Sequence, residues 1–157
     1  MLYVKDEHGT YHPAPKETVF SEAKRLSGYQ LRRGAVIESS VSARDAIGQR
    51  IGGYQYEMFA CLFLDNRHRV LAFEEMFRGT INVSTVYPRE LVKEALHWNA
   101  AAVILAHNHP SGETQASQQD LELTNQLKKI LQVINVRVLD HLIVGEHVLS
   151  LADSGLI

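Results

Sequence analysis

Apolar and polar residues follow one another along the chain in blocks whose lengths predict strands and helices in turn. Residues 56–65 and 70–77 are two apolar blocks joined by a short polar turn, a pattern that predicts a β-hairpin. Pro88 then opens a segment with helical spacing, because proline is pre-set for a first helical turn. The next block, residues 100–106, is apolar throughout and predicts a strand buried on both faces. The apolar stripe of the Pro88 helix is predicted to contain Leu91, Val92, Ala95 and Leu96.

The remaining blocks continue this alternation. Ser117 opens the longest predicted helix, and residues 39–53 predict a shorter one with hydroxyl caps at its start. Residues 136–145 and 147–152 predict two further strands. Helices that alternate with strands and hairpins predict an α/β fold in which a mixed sheet lies between helices. The apolar positions with helical spacing in the longest helix are Leu123, Leu127, Ile130, Leu131 and Ile134.

The beginning of the chain has a weaker pattern. We expect residues 1–38 to form an N-terminal extension and residues 39–157 to form the main domain. Within the extension, the segment before Lys16 predicts a small hairpin, and the segment from there to Gly28 predicts a short helix.

Composition narrows the class of protein. The 157 residues are 45% hydrophobic and 22% charged, which is typical of one globular domain. The longest apolar run is far shorter than the roughly 20 residues that span a bilayer, and the first residues do not resemble a signal peptide. Cys61 is the single cysteine, so we expect no disulfide framework, a buried inert thiol and a cytoplasmic location. The net charge of −2 does not indicate a nucleic-acid or membrane surface.

Two histidines at the end of the 100–106 block carry the strongest chemical signal. His107 and His109 are two residues apart in extended chain, so their side chains point the same way. Catalytic zinc sites hold the metal with three protein ligands and leave a position for water. Asp120 is a candidate for the third ligand. The alternative is that the two histidines are ordinary loop residues at the end of a strand.

Asp120 has a second interpretation. Ser117 and Asp120 fit a capping box, which is a device for starting a helix. A helix-start aspartate can also point into a metal site while the serine orders the turn, so both interpretations stay open. Asp140 and His141 are adjacent in a predicted strand and face opposite sides, which favours a structural role for them.

The segment HNHPSGETQASQQD has the form H-x-H-P-x6-S-x-x-D and resembles the JAMM (MPN+) metalloprotease signature, in particular that of its RadC-like bacterial branch. Residues 39–157 resemble that branch in several separated blocks that occur in order. The resemblance implies a mixed, curved sheet flanked by helices in three layers, as in JAMM domains and cytidine deaminases. It also implies one zinc held by His107, His109 and Asp120, with Ser117 beside the water. Full-length members carry an N-terminal helix-hairpin-helix module, and we expect this chain to be of the short type without it.

The family also uses an upstream glutamate as general base. Glu74 and Glu75 are adjacent on a predicted strand and point to opposite faces. Counting five residues back from Gly79, as in RadC-like relatives, selects Glu74. Thr80 and Asn82 could place hydrogen-bond donors near a substrate chain.

The leading hypothesis is therefore a zinc-dependent hydrolase that cleaves a peptide or isopeptide-like amide, with Glu74 as base and Ser117 as oxyanion donor. The substrate could bind as an added strand. An alternative is a DNA-associated accessory protein of a mobile element, with a structural or vestigial zinc site. A third hypothesis is metal-assisted phosphodiester hydrolysis. This reaction usually requires more carboxylates and often two metals, so two histidines and one aspartate suit a single zinc better. The mildly basic stretch that supports the DNA alternative contains Lys24, Arg25, Arg32 and Arg33, which could equally form a solvated face.

Overall fold

The computed structural model describes residues 1–79 and 85–157. The described helices and strands follow the order that the apolar blocks predict. In chain order they are β1 (Tyr3–Lys5), β2 (Tyr11–Pro13), α1 (Lys16–Gln30), α2 (Ser40–Ile51), β3 (Met58–Leu64), β4 (Val70–Arg78), α3 (Pro88–His97), β5 (Ala102–Asn108), α4 (Gln118–Val133), β6 (Arg137–Val144) and β7 (Val148–Ser150).

Five of these strands form a mixed sheet with the order β4-β3-β5-β6-β7. Strand β3 is antiparallel to both β4 and β5, β5 is parallel to β6, and β6 is antiparallel to β7. The predicted α/β fold with a mixed sheet is confirmed. Strands β1 and β2 form a separate two-stranded sheet, as the weak alternation at the start of the chain predicts.

Helices cover both faces of the five-stranded sheet, which gives three layers. On one face, helix α2 packs its buried Ala46 and Ile47 among alternate residues of β3 such as Leu62. On the other face, helices α3 and α4 pack against the intervening residues of β3, including Cys61 and Phe63. Because both faces are covered, all residues of β3 and β5 are buried, as the sequence predicts for β5.

The Cys61 thiol is fully buried, and burial raises its pKa well above the ordinary value. A thiol in this setting stays protonated at neutral pH. The prediction of a buried cysteine is confirmed.

Two predicted details of the helices are wrong. Helix α1 does not close at Gly28 but continues to Gln30, because glycine costs a helix interior only about 1 kcal/mol and does not stop it. In α3, Leu91 and Ala95 are buried, whereas Leu96 is 60% exposed. Leu96 follows Ala95 by one residue, about 100° further round the helix, and this turns it away from the sheet. Within the described residues, no helix is long and apolar enough to cross a membrane.

Candidate metal centre

The three predicted metal ligands lie together at the end of strand β5. His107 Nε2 lies 2.9 Å from His109 Nε2 and 3.2 Å from Asp120 Oδ1. His109 Nε2 lies 3.8 Å from Asp120 Oδ2. His107 is buried in the sheet, and the other two side chains are partly exposed where the strand opens into a cleft.

Asp120 is held in place by the start of helix α4. The Ser117 main-chain amide donates to Asp120 Oδ2 at 2.7 Å, and the Asp120 main-chain amide donates to Ser117 Oγ at 3.1 Å. The capping box is therefore present, and the same carboxylate faces the two histidines. Burial raises the pKa of Asp120, but the hydrogen bonds and charge supplied by His107 and Ser117 outweigh burial and hold that pKa well below its ordinary value.

A fourth side chain joins the cluster from outside the predicted set. Glu57, which directly precedes β3, offers a carboxylate oxygen that lies with ring nitrogens of His107 and His109 in a group whose atoms are all within 4.8 Å of one another. Burial raises the pKa of Glu57, while the charges of the two histidines lower it by less.

Asn108 holds the segment that carries Glu57. Its Oδ1 accepts a hydrogen bond of 2.7 Å from the Met58 main-chain amide. Its Nδ2 donates to the main-chain oxygens of Tyr56 at 2.9 Å and Tyr54 at 3.3 Å. The middle residue of the HNH tripeptide therefore points to the opposite side from the histidines and fixes the backbone on both sides of Glu57.

The structure does not bring Glu74 to this centre, and the expectation that it faces the metal is corrected. Glu74 pairs with Cys61, whereas Phe59, two residues nearer the start of β3, is the strand partner of His107. Glu74 therefore lies deeper along the sheet and one strand beyond β3. The charged groups that act on its pKa are Glu94 and His97 of helix α3.

Glu75 lies on the other face of β4, as strand alternation predicts. It accepts a 2.6 Å hydrogen bond from the Tyr54 hydroxyl and lies 3.5 Å from Arg50 Nε. Glu57 was missed because its place depends on the antiparallel pairing of β3 with β5. The sequence contains one partial signal for Glu57, because it directly precedes an apolar strand. A residue in that position lies beside the last residues of any antiparallel neighbour.

Each histidine is also oriented through its second ring nitrogen. His109 Nδ1 lies 3.0 Å from the Glu113 main-chain oxygen, which can only accept, so this nitrogen carries the hydrogen. His107 Nδ1 lies 2.8 Å from Nε2 of the fully buried His141. Burial lowers the pKa of His141 well below the ordinary value, so this ring is neutral at physiological pH. His141 was predicted to be structural, and its contact with His107 was missed.

The loop that supplies the Glu113 oxygen rests against Gly145. A Cβ atom at this position would lie 2.4 Å from the Glu113 oxygen and 2.5 Å from the Gly112 oxygen, so only glycine fits. The Glu146 main-chain amide donates to the same Gly112 oxygen at 2.7 Å. Gly145 thus permits the close approach that places the acceptor for His109.

The donor set fits a zinc ion. Ligand atoms about 2.0–2.1 Å from a tetrahedral zinc lie about 3.3 Å from one another. The two histidine Nε2 atoms are 2.9 Å apart, and they lie 3.2 and 3.8 Å from Oδ1 and Oδ2 of Asp120, respectively. A hydrogen on His109 Nδ1 leaves the Nε2 lone pair facing His107. Two imidazoles and one carboxylate are a ligand set of the kind that hydrolytic zinc sites use.

The cluster opens into a cleft of about 740 Å³. Ser117 and Glu57 line it together with the apolar side chains of Phe59, Val86 and Leu123. The expectation that Thr80 and Asn82 contribute donors to a substrate lies outside the described residues.

Two histidines and an aspartate that converge at the end of the central strand of a mixed sheet between helices define a JAMM-type domain, and comparison with known proteins agrees. The RadC-like JAB domain model matches residues 37–156. A UPF0758 protein of Marinobacter nauticus is 48% identical over 149 residues, which cover 94% of this chain and 66% of that protein. A UPF0758 protein of Vibrio cholerae is 44% identical over 142 residues, or 90% of each chain. The chain belongs to the RadC-like JAB family. It spans slightly less than two thirds of the length of the Marinobacter relative.

Proposed function

We propose that this protein is a zinc-dependent hydrolase of the JAMM type that cleaves a peptide or isopeptide-like amide, with one zinc per chain. The observation that carries this proposal is the convergence of His107, His109 and Asp120, with Glu57 beside them, at the base of one open cleft. When bound, zinc lowers the pKa of a coordinated water to about 7 and polarises the carbonyl of the substrate.

Glu57 replaces Glu74 as the proposed general base. It lies in the same group as the two histidines, and burial raises the pKa of its carboxyl group. A raised pKa suits a group that must take up a proton and release it again near neutral pH. In the proposed reaction, Glu57 accepts the proton of the attacking water and passes it to the nitrogen of the leaving amine as the carbon–nitrogen bond breaks.

Ser117 is the proposed oxyanion donor. Its Oγ accepts the Asp120 main-chain amide, which leaves the hydroxyl hydrogen available for another acceptor. Ser117 lines the cleft beside the ligands, so this hydrogen can be donated to the oxygen that becomes negative as water adds to the carbonyl.

The proposed substrate is an extended polypeptide segment that binds as an added strand. Strand β4 is one edge of the five-stranded sheet. Phe77 of β4 pairs with Phe59, which lines the cleft, so this edge runs past the metal centre. The start of β4 already pairs with another segment, through the hydrogen bonds of Val70 with Gly34 and Ala35. In the proposed binding mode, an extended segment lies along the rest of β4 and presents an amide to the cleft.

A panel of peptide, isopeptide and DNA substrates, incubated with the zinc-loaded protein, tests this proposal. We expect hydrolysis of an amide substrate by the wild type, and loss of at least about 100-fold in turnover for Glu57→Gln with zinc content unchanged. Glu74→Gln is the matched control on the neighbouring strand and should keep most of the activity. Equal activity of Glu57→Gln and the wild type, or full loss in Glu74→Gln, would contradict the assignment of the base.

The alternative of a DNA-associated accessory protein is tested by measuring DNA binding at several salt concentrations beside the same panel. Arg25 of the basic stretch pairs with Glu22, and the guanidinium groups of Arg25 and Arg32 both lie over the Tyr29 ring. These contacts already engage part of the positive charge that the alternative requires. Strongly salt-dependent DNA binding without hydrolysis of any amide would favour the alternative.

A further inference from the structure

A buried chain of hydrogen bonds runs from the metal centre into the protein behind it. His107 Nδ1 lies 2.8 Å from His141 Nε2, and His141 Nδ1 lies 2.6 Å from Thr124 Oγ1. Thr124 Oγ1 also lies 2.6 Å from the main-chain oxygen of Asp120. His141 and Thr124 are fully buried and His107 is 3% exposed, so each polar atom depends on its neighbour in this chain.

Two placements of the hydrogens satisfy these contacts. In the first, Thr124 donates to the Asp120 oxygen, His141 donates from Nδ1 to Thr124, and His107 donates from Nδ1 to His141. His107 Nε2 then carries a lone pair directed at the metal centre. In the second, every hydrogen moves one step: Thr124 donates to His141, His141 donates from Nε2 to His107, and His107 Nε2 donates to His109 at 2.9 Å.

Only the first placement allows His107 to bind a metal, because a ligating nitrogen must offer its lone pair. We infer that Thr124 and His141 are positioning residues that make this first placement available and so prepare His107 Nε2 as a ligand. The inference rests on the proposed metal centre and does not depend on the proposed hydrolysis. Thr124 favours the first placement without being a ligand itself. The Asp120 main-chain oxygen can only accept, so the threonine hydroxyl donates to it and leaves its own oxygen free to accept from His141 Nδ1.

Within this series of hydrogen bonds, the hydroxyl of Thr124 is the group that a substitution can remove while the shape of the side chain is kept. Thr124→Val keeps the branched side chain but loses the oxygen. The first placement then loses two hydrogen bonds and leaves a buried N–H without an acceptor, whereas the second loses one. The substitution therefore shifts the balance towards the second placement, in which a hydrogen occupies His107 Nε2. Thr124→Ser keeps the hydroxyl and is the matched control.

Zinc affinity and histidine NMR test the inference together. At pH 8.5, about two pH units above the ordinary imidazole pKa of about 6.5, long-range ¹H–¹⁵N spectra report which ring nitrogen carries the hydrogen. We expect the zinc-loaded wild type and Thr124→Ser to carry hydrogens on Nδ1 of both His107 and His141. We expect Thr124→Val to bind zinc about 10- to 100-fold more weakly than the wild type, and Thr124→Ser to bind it like the wild type.

Two results would overturn the inference: a hydrogen on His141 Nε2 in the zinc-loaded wild type, or a folded Thr124→Val protein with wild-type zinc affinity. If Thr124→Val does not fold, the His141 tautomer in the loaded wild type decides alone. Failure of the wild type to bind zinc at all would instead overturn the metal centre itself. Thr124-dependent zinc binding in a protein that hydrolyses no amide would support the inference and count against the proposed reaction.

Discussion

The side-chain amide of Asn108 holds the backbone on both sides of Glu57. It accepts from the amide of Met58 and donates to the oxygen of Tyr56, the two residues that flank the glutamate. Asn108 is 1% exposed, and it lies between the two histidines in sequence. The tripeptide at the end of β5 therefore supplies two candidate ligands on one side and fixes the candidate base through its middle side chain on the other.

Substitution of Asn108 should separate the position of the base from the binding of the metal. Asn108→Ala leaves the buried Met58 amide without a partner, and we expect a loss of about 1–3 kcal/mol in the free energy of unfolding. Because the Glu57 segment is released, turnover should fall about 10-fold or more, while zinc content stays at the wild-type level. Urea unfolding, elemental analysis and amide hydrolysis measure the three effects.

A core substitution controls for lost stability alone in that experiment. Ile47→Val removes one buried methylene from helix α2, and such changes cost about 0.5–1.5 kcal/mol. We expect this variant to be destabilised and fully active below its unfolding transition. Wild-type turnover in Asn108→Ala would mean that Glu57 keeps its position without the asparagine.

The contrast between Asp120 and Glu57 explains how much of this site the sequence can predict. The two histidines and Asp120 lie in one short segment, where strand alternation and a capping box act over neighbouring residues and can be recognised without the fold. Apolar blocks likewise predict strands β3 to β7 and the α/β class, because burial imposes their periodicity. The approach of Glu57 to His107 depends instead on the pairing of two distant strands. The composition of β3 does not determine which strand pairs with it or in which register.

The choice between Glu74 and Glu75 failed for the same reason. Alternation along β4 correctly places them on opposite faces, but both glutamates pair beyond Phe59, the residue of β3 that lies opposite His107, and so neither is level with the end of β5. The roles of His141 and Thr124 also depend on how helix α4 packs against β6, and a buried histidine in a strand gives no local indication of the residue it contacts.

Gly145→Ala should remove the hydrogen bond that orients the ring of His109. The new methyl group would meet the main-chain oxygens of Glu113 and Gly112 at 2.4 and 2.5 Å, so the loop must move away from the sheet. The acceptor for His109 Nδ1 moves with it, and we expect zinc affinity to fall about 10-fold or more. Competition with a chromophoric chelator measures this loss.

Gly28→Ala is the control for the glycine substitution. Gly28 is inside helix α1, and apart from its chain neighbours and the backbone of that helix, no atom of residues 1–79 and 85–157 lies within 4 Å of a Cβ placed there. Alanine should stabilise this helix by up to about 1 kcal/mol and leave zinc affinity unchanged. An equal affinity for zinc in both glycine variants would show that the Glu113 oxygen does not orient His109.

The partly buried carboxyl group of Glu57 should make the metal-free protein less stable at neutral pH. Its pKa in the folded state is raised by burial, so its contribution to stability is present below the unfolded pKa of about 4.3 and is lost as the pH rises through the folded pKa. Glu57→Gln removes this loss. We expect the metal-free variant to be more stable than the wild type at pH 7, and the difference to disappear near pH 4. Urea unfolding of chelator-treated protein at both pH values measures it.

Asp65→Asn should show the opposite sign and serves as the control for that pH experiment. Hydrogen bonds from the main-chain amides of Arg69 and Arg67 lower the pKa of Asp65, so its stabilising contribution is present above the unfolded pKa and is lost as the pH falls. The asparagine variant should be less stable than the wild type at pH 7 and approach it in acid. If both variants change the free energy of unfolding at pH 7 in the same direction, the assigned environment of Glu57 is contradicted.

Ser117 and Ser39 allow the capping and chemical roles of a serine to be separated within one protein. Both are N-cap residues with a complete capping box, Ser117 at α4 and Ser39 at α2. Of the two serines, only Ser117 lines the cleft with the candidate metal ligands. Each serine-to-alanine variant should lose about 1 kcal/mol of stability, because one helix-start amide loses its acceptor. Only Ser117→Ala should also lower turnover, by a factor of order 100, because an oxyanion donor is lost.

The zinc content of Ser117→Ala should match that of the wild type, since Ser117 contacts the candidate ligand Asp120 and is not itself in the ligand set. If the two variants lose equal stability and both keep wild-type turnover, Ser117 is a helix cap alone.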